Sequence, residues 1–258
     1  MWRCVTVSRP VRSTLTRPAH SLPHKFCVRM QTLLVFSQDG SNPEIAREIE
    51  SIAFAAGVVH LQHRQPYLNI PSMFVRTDAP TAANVRYLLR FAFDYLQAPA
   101  AIVLESDIEL APDGIGYFEW AYARLARSEA LQRRVFTVNG FNEASNSSAG
   151  PYDMSTSRDG FMVWGWLCPH WSWPLINSRW TWFGNWDINM ENNIRRPLGK
   201  VSLSPAVSRT RNIGMQGINF DIRDPREAAR WESLYMHKEA INYEHGEPMR
   251  ITDLHETW

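Results

Sequence analysis

The stretch Ala100-Ala101-Ile102-Val103-Leu104-Glu105-Ser106-Asp107 constrains this chain most. A short, wholly apolar run predicts a strand buried on both faces, and a strand so covered belongs to a sheet with helices on each side. The run stops abruptly at two carboxylates. In open α/β sheets ligands sit in the crevice beyond the carboxyl ends of the strands, and alternation along an extended chain puts Glu105 and Asp107 on one side with Ser106 opposite. A strand end running out into solvent would carry the same residues, so a second element is needed before chemistry is read from them.

The flanking pattern supports an α/β fold. Strands are predicted over 4–7, 32–36, 58–62 and 135–138, and helices over 44–56, 78–96 and 117–126. Asp78 is a candidate cap of the second helix, whose apolar stripe is Val85, Leu88, Leu89, Ala92 and Leu96. Strand and helix alternating in this way predict a mainly parallel central sheet flanked by helices. The strand before Asp39 also ends in a carboxylate. A segment with Leu15 and Leu22, interrupted by Pro18, is a weak helical pattern; 142–160, rich in Ser, Asn and Gly, is expected to be a mobile loop. A last helix is expected over 225–242.

Composition excludes several classes. With 45% hydrophobic and 21% charged residues and a formal net charge of +1 over 258 residues, neither disorder nor an electrostatic nucleic-acid binder is indicated. Cys4, Cys27 and Cys168 are too few and too scattered for a disulfide framework or a zinc cluster. Among His60, His63, His170, His237, His245 and His255, only His60 and His63 have metal-ligand spacing. No Walker or Rossmann glycine loop and no Gly-x-Ser-x-Gly elbow occurs. The longest apolar stretches, such as 52–59, fall far short of the ~20 residues that cross a bilayer, so a soluble chain is expected. Before Asp39 there is no acidic residue, and the arginines there lie among Ser, Thr and Pro as in an organelle transit peptide.

The second element comes from the tryptophans. Seven of the 11, namely Trp164, Trp166, Trp171, Trp173, Trp180, Trp182 and Trp186, fall within 161–186. Aromatic rings pack against the apolar face of a sugar while carboxylates take its hydroxyls, although an aromatic core would use the same residues. Trp186-Asp187 is the pair set apart from that core reading, because a carboxylate held against a large ring is a better proton acceptor near neutral pH. Asp107 is the candidate ligand of Mn²⁺ or Mg²⁺, hard ions held by one or two carboxylates and substrate phosphates. Glu105 could take sugar hydroxyls, and Asp39 a base or ribose edge.

Taken in order, VFSQDG at 35–40, PAAIVLESDIELAPD at 99–113, VNGFNE at 138–143, VWGW at 163–166, the segment 180–187, and SPAVSR at 204–209 followed by Gly214 and Gly217 resemble one family. It is that of N-acetylglucosaminyltransferase I and protein O-mannose β-1,2-N-acetylglucosaminyltransferase, glycosyltransferase family 13. The resemblance implies a GT-A type nucleotide-diphospho-sugar transferase fold, with 1–130 the nucleotide-sugar-binding half and 131–258 the acceptor and catalytic half of one domain. It implies transfer of N-acetylglucosamine from UDP-GlcNAc to a mannose hydroxyl of a glycan or glycoprotein with inversion, dependence on Mn²⁺ and a place in the Golgi lumen. By position, Asp107 is the metal ligand, Asp187 the general base, and Glu105 and Ser106 lie near the sugar. Arg9, Asp39 and Asn84 fall at nucleotide positions, Trp164 and Trp186 flank the sugar, and Gly217-Ile218-Asn219 matches the loop over the diphosphate. Residues 5–10 resemble the family's first strand, the reading preferred to a transit peptide. Residues 234–235 and 239–240 resemble its helix after the catalytic domain. The departures are Ser106 for an acidic residue, Asn84 for a histidine and Thr137 for a cysteine; the family's membrane anchor and last domain have no counterpart here. They keep two alternatives in view: a transferase with another donor or acceptor, and a noncatalytic sugar-nucleotide-binding member.

Overall fold

The computed structural model describes residues 2–10, 30–56, 58–63, 79–146, 148–156, 160–181, 186–214, 216–217, 220–221, 225, 229, 236–243 and 248–252. The first half contains β1 (Trp2–Pro10), β2 (Met30–Asp39), α1 (Pro43–Ala56), β3 (Val59–His63), α2 (Ala79–Arg90), β4 (Ala100–Glu105), β5 (Ile108–Leu110) and α3 (Gly114–Leu125). The second contains α4 (Glu129–Arg134), β6 (Val135–Asn139), β7 (Asp153–Thr156), β8 (Trp166–Pro169), α5 (Trp173–Arg179), α6 (Trp186–Asn189), β9 (Val201–Pro205), β10 (Thr210–Asn212), β11 (Gln216–Gly217), β12 (Phe220–Asp221) and β13 (Arg250–Ile251). One nine-stranded sheet, in the order β13-β7-β9-β6-β8-β4-β1-β2-β3, takes strands from both halves.

β4 is buried on both faces, as its sequence requires. Ala100, Ile102 and Leu104 enter a core with Tyr117, Phe118, Ala121 and Leu125 of α3, while Ala101 and Val103 enter a second core on the other face. The second core takes the stripe of α2, where Ala82, Val85, Leu88 and Leu89 are buried, continued by Ala92 of the π-helical turn Phe91–Tyr95. Strand polarity ends at Glu105, however, and Ser106-Asp107 form a turn. Alternation therefore does not reach Asp107, whose position is set by the turn and by β5.

The sheet is mixed rather than mainly parallel. Only β2–β3, β6–β9 and β7–β13 pair in parallel; β1 pairs antiparallel with both β2 and β4, and β8 antiparallel with both β4 and β6. The helix-linked strands β3 and β4 do run the same way, but β1 and β2 stand between them, so alternation of strand and helix did not translate into adjacency. Apolar runs cannot report this difference, because helices cover both faces either way. β2, β3, β4, β6 and β9 nonetheless end at one edge, where β1, β7 and β8 begin.

The segment 142–160 is not simply a loop, because β7 lies within it and pairs with β9. Its start is pinned as well: the Asn142 amide donates to the carbonyl of Pro205 at 2.8 Å, and Asn146 N–H to that of Ala206 at 3.0 Å. At the C-terminal side, Pro225 and Ala229 are helical, but Met236 bridges to Ser208 and 237–243 are not helical, so neither the helix expected to reach 242 nor a helical Glu239-Ala240 is found. The weak pattern around Leu15 and Leu22, Asp78, Trp182 and residues 234–235 lie outside the described residues. Among the described residues no helix is long and apolar enough to cross a membrane.

Glu191 ties the tryptophan segment to the π-helix Met190–Arg195. Its carboxylate accepts from Phe161 N–H at 2.9 Å, from Arg195, and from Arg196 at 2.7 Å. Burial alone pushes the carboxyl pKa up, but the hydrogen bonds and charge of its partners outweigh it and hold the pKa below the usual glutamate range. A depressed native pKa means stability that is present above the unfolded value, about 4.3, and is lost as pH falls through the native one. Glu191→Gln is expected to be less stable than the parent at pH 6, with the gap in thermal midpoint closing as pH drops below about 4. A constant gap from pH 6 to pH 3 would show that the charge is not what matters.

Candidate functional site

The edge at which β2, β4, β6 and β9 end is also where the chemistry-bearing residues collect. Register places Arg3 opposite both Ser37 of β2 and Glu105 of β4, so these three stand in a row across adjacent strands. Asn84 of α2 lies above this row, buried, with its side-chain carbonyl accepting from Ser37 Oγ at 2.6 Å. Two strand spacings, about 10 Å of backbone, thus separate Ser37 from Glu105. Asp39, whose backbone pairs with His63, closes the same end of β2.

Asp107 is held by a ribbon from the far end of the sequence. β10 pairs antiparallel with β5, setting Asn212 opposite Ile108, and Ile213 N–H donates to the Asp107 carbonyl at 2.7 Å. The Asn212 side-chain amide approaches Asp107 Oδ2 at 3.4 Å, while Oδ1 is buried with no hydrogen-bond partner among the described residues. A carboxylate oxygen shielded from water and left unpaired carries a desolvation cost that a ligand would relieve. No cluster of three or more metal-binding side chains occurs among the described residues. An ion at Asp107 would therefore take much of its coordination from a substrate, the pattern of Mg²⁺ and Mn²⁺ sites at phosphates.

The same ribbon reaches the tryptophan segment. Thr210 Oγ1 donates to the carbonyl of Trp164, and Gly140 N–H to that of Gly165 at 2.7 Å. Gly165 has φ of +81°, and a Cβ there would fall 2.5 Å from the Thr210 methyl, so glycine is required both for the backbone and for the close approach. Trp164 is half-buried, edge-on to Phe141 with ring centroids 4.6 Å apart.

Trp186 is placed differently from the expectation that its face is free for a sugar. Its ring is buried among Phe161, Trp166 and Trp180, with 5% exposed. An indole hides more apolar surface there than it could against one ring face of a sugar. The consequence is mechanical: Trp186 nails the start of α6 to Trp166, the first residue of β8 at the same sheet edge. Asp187 follows in the first turn, half-buried, with Oδ1 accepting from Ile188 N–H at 2.8 Å. Oδ2 has no hydrogen-bond partner among the described residues.

Glu105, Ser106, Asp107, Asn84 and Trp164 are thus brought to one edge with α6 tied to it. Arg9 is not. It pairs with Gln31, six residues along β1 from Arg3, roughly 20 Å of extended strand from Glu105. The expectation for Arg9 came from the resemblance alone; in the antiparallel register its backbone lies at the opposite end of β1 from Arg3. Gly217 lies in the β11–β12 pair, and Ile218 and Asn219 lie outside the described residues. Thr137 is buried and hydrogen-bonded to Ser202 at 2.7 Å, a core role.

Two residues escaped the sequence reading. Asn212 was signalled only by Asn212-Ile213-Gly214, a turn pattern. Arg209 has no exposed surface and lies 2.9 Å from Asp113, with further hydrogen bonds to Tyr243 and to the carbonyls of Val207 and Pro151. It anchors the entry to β10 and hence the approach to Asp107.

A sequence model of the GNT-I family matches residues 4–221. The chain is 25% identical over 223 residues to the alpha-1,3-mannosyl-glycoprotein 2-beta-N-acetylglucosaminyltransferase of Arabidopsis thaliana, which covers 82% of this chain and 45% of that protein. The chain therefore spans less than half the length of this curated relative.

Proposed function

The chain belongs to the GNT-I family, and from that premise we propose that it is an inverting glycosyltransferase. It moves N-acetylglucosamine from UDP-GlcNAc to a mannose hydroxyl of a glycan in β-1,2 linkage, on a GT-A type scaffold with a mixed sheet. The observation that carries the reading is Asp107, with a buried carboxylate oxygen that has no hydrogen-bond partner among the described residues, at the strand edge of a chain in this family.

Asp107 would hold Mn²⁺, or Mg²⁺, through Oδ1, and such an ion neutralises charge building on a departing diphosphate. Glu105 and Ser106 line the sugar side, and Asp39 and Asn84 the nucleotide side. By the family resemblance Trp164 flanks the sugar, and Gly217-Ile218-Asn219 is assigned to the diphosphate. Asp187 takes the proton of the acceptor hydroxyl as that oxygen bonds to the anomeric carbon; the bond from carbon to the UDP oxygen breaks on the opposite face, and the configuration inverts. The Golgi lumen is the compartment this reading proposes.

Incubated with Mn²⁺, UDP-GlcNAc and a mannose-terminated oligosaccharide, the protein is expected to release UDP and form a GlcNAc-mannose product, both abolished by EDTA. A transferase with another donor is the second reading, favoured by the backbone of Arg9 at the wrong end of β1 and by Asn84 in place of histidine. Competition among nucleotide sugars separates the two, and failure to bind any of them would sink both.

A further inference from the structure

The β5–β10 ribbon does more than deliver Asp107 to the edge. Asn212 accepts Gly214 N–H on its side-chain oxygen at 2.6 Å, which fixes the amide plane and turns its NH₂ toward Asp107 Oδ2. Gly214 closes the other side: a Cβ there would lie 2.8 Å from Asp107 Oδ2 and 3.0 Å from Asn212 Oδ1. One carboxylate oxygen is therefore boxed in by an amide and a glycine, and the other, Oδ1, is the atom left buried and unpartnered among the described residues.

We propose that Asn212, with Gly214, is the positioning residue for Asp107, holding Oδ2 so that Oδ1 is presented to a divalent cation. This rests on the reading of Asp107 as the cation-holding residue. Groups that orient a metal-binding side chain typically contribute about 10- to 100-fold to metal affinity. Asn212→Leu keeps the volume and removes both hydrogen bonds; Gly214→Ala keeps the amide and crowds Oδ2.

The test is Mn²⁺ affinity, read from the electron paramagnetic resonance of free Mn²⁺ in the presence of UDP, on the parent, Asn212→Leu, Gly214→Ala and Asp107→Ala. Thermal midpoints are measured in EDTA. Both ribbon variants are expected to bind Mn²⁺ roughly 10-fold or more weakly while their metal-free midpoints stay near the parent's, and Asp107→Ala to lose the binding. Weakened binding in Asp107→Ala with parental affinity in both ribbon variants would overturn the proposal and leave the site reading standing. Parental affinity in Asp107→Ala would overturn both. Weakening matched by a fall in the metal-free midpoint of both variants would reduce Asn212 to a structural residue and overturn the positioning role.

Discussion

Replacing Arg209 by methionine is expected to cost about 3–5 kcal/mol of folding stability, because it strands Asp113 as a buried charge. Neither side chain of this pair has exposed surface. Asp113 Oδ2 accepts from Arg209 and from the Tyr243 hydroxyl, each at 2.9 Å, while Oδ1 has no partner among the described residues. The environment is desolvated enough to push the phenols of Tyr117 and Tyr243 well above the usual tyrosine range. An anion left there without its guanidinium has no solvent to turn to. Adding Asp113→Asn to the Arg209→Met background is expected to recover more than half of the loss, since a neutral amide removes the uncompensated charge. Urea unfolding followed by tryptophan fluorescence measures both; a single-variant cost below about 1 kcal/mol would mean the pair is exchangeable for water.

The second large effect concerns transfer itself. Asp187→Asn is expected to lower kcat by about 10²- to 10⁴-fold while donor binding stays within a few-fold of the parent, the signature of a lost general base. The geometry favours this separation because Trp186, not Asp187, carries the packing that fixes α6. Substitution at Asp187 changes a half-buried polar tip and leaves the aromatic anchor intact. Titration with UDP-GlcNAc alongside product formation tests it. Undiminished turnover would remove Asp187 from the mechanism, and loss of binding in parallel with turnover would make it a binding residue.

How far the sequence could be read depended on which interactions were local. β4 and the stripe of α2 were legible because burial on two faces or on one stripe imposes a pattern on consecutive residues. β7 was hidden because three of its four residues, Asp153, Ser155 and Thr156, are polar and the segment owes its extension to the partner strand β9. Strand direction was hidden for the same reason, and with it the end of β1 on which the backbone of Arg9 falls. Trp186 was set apart from the aromatic core on its neighbour Asp187, but the ring packs with Phe161 and Trp166, contacts across 20 and more residues that spacing does not announce. Asn212 was the least legible: its meaning lies in Asp107, about a hundred residues earlier, and Asn-x-Gly alone reads as an ordinary turn.

That last separation has a consequence for how the protein acquires its activity. β1 closes a loop of about a hundred residues onto β4 with six pairs of backbone partners, in a strand that both cores bury, whereas the β5–β10 ribbon closes one as long for three pairs. It is poorly rewarded early and can settle only once its flanks are in place. A chain with both cores assembled and this ribbon still open would be compact, with Trp120, Trp166, Trp173 and Trp186 already sheltered from water, and yet inert. Recovery of turnover on refolding should trail recovery of fluorescence, making catalysis itself the reporter of the last step to native structure.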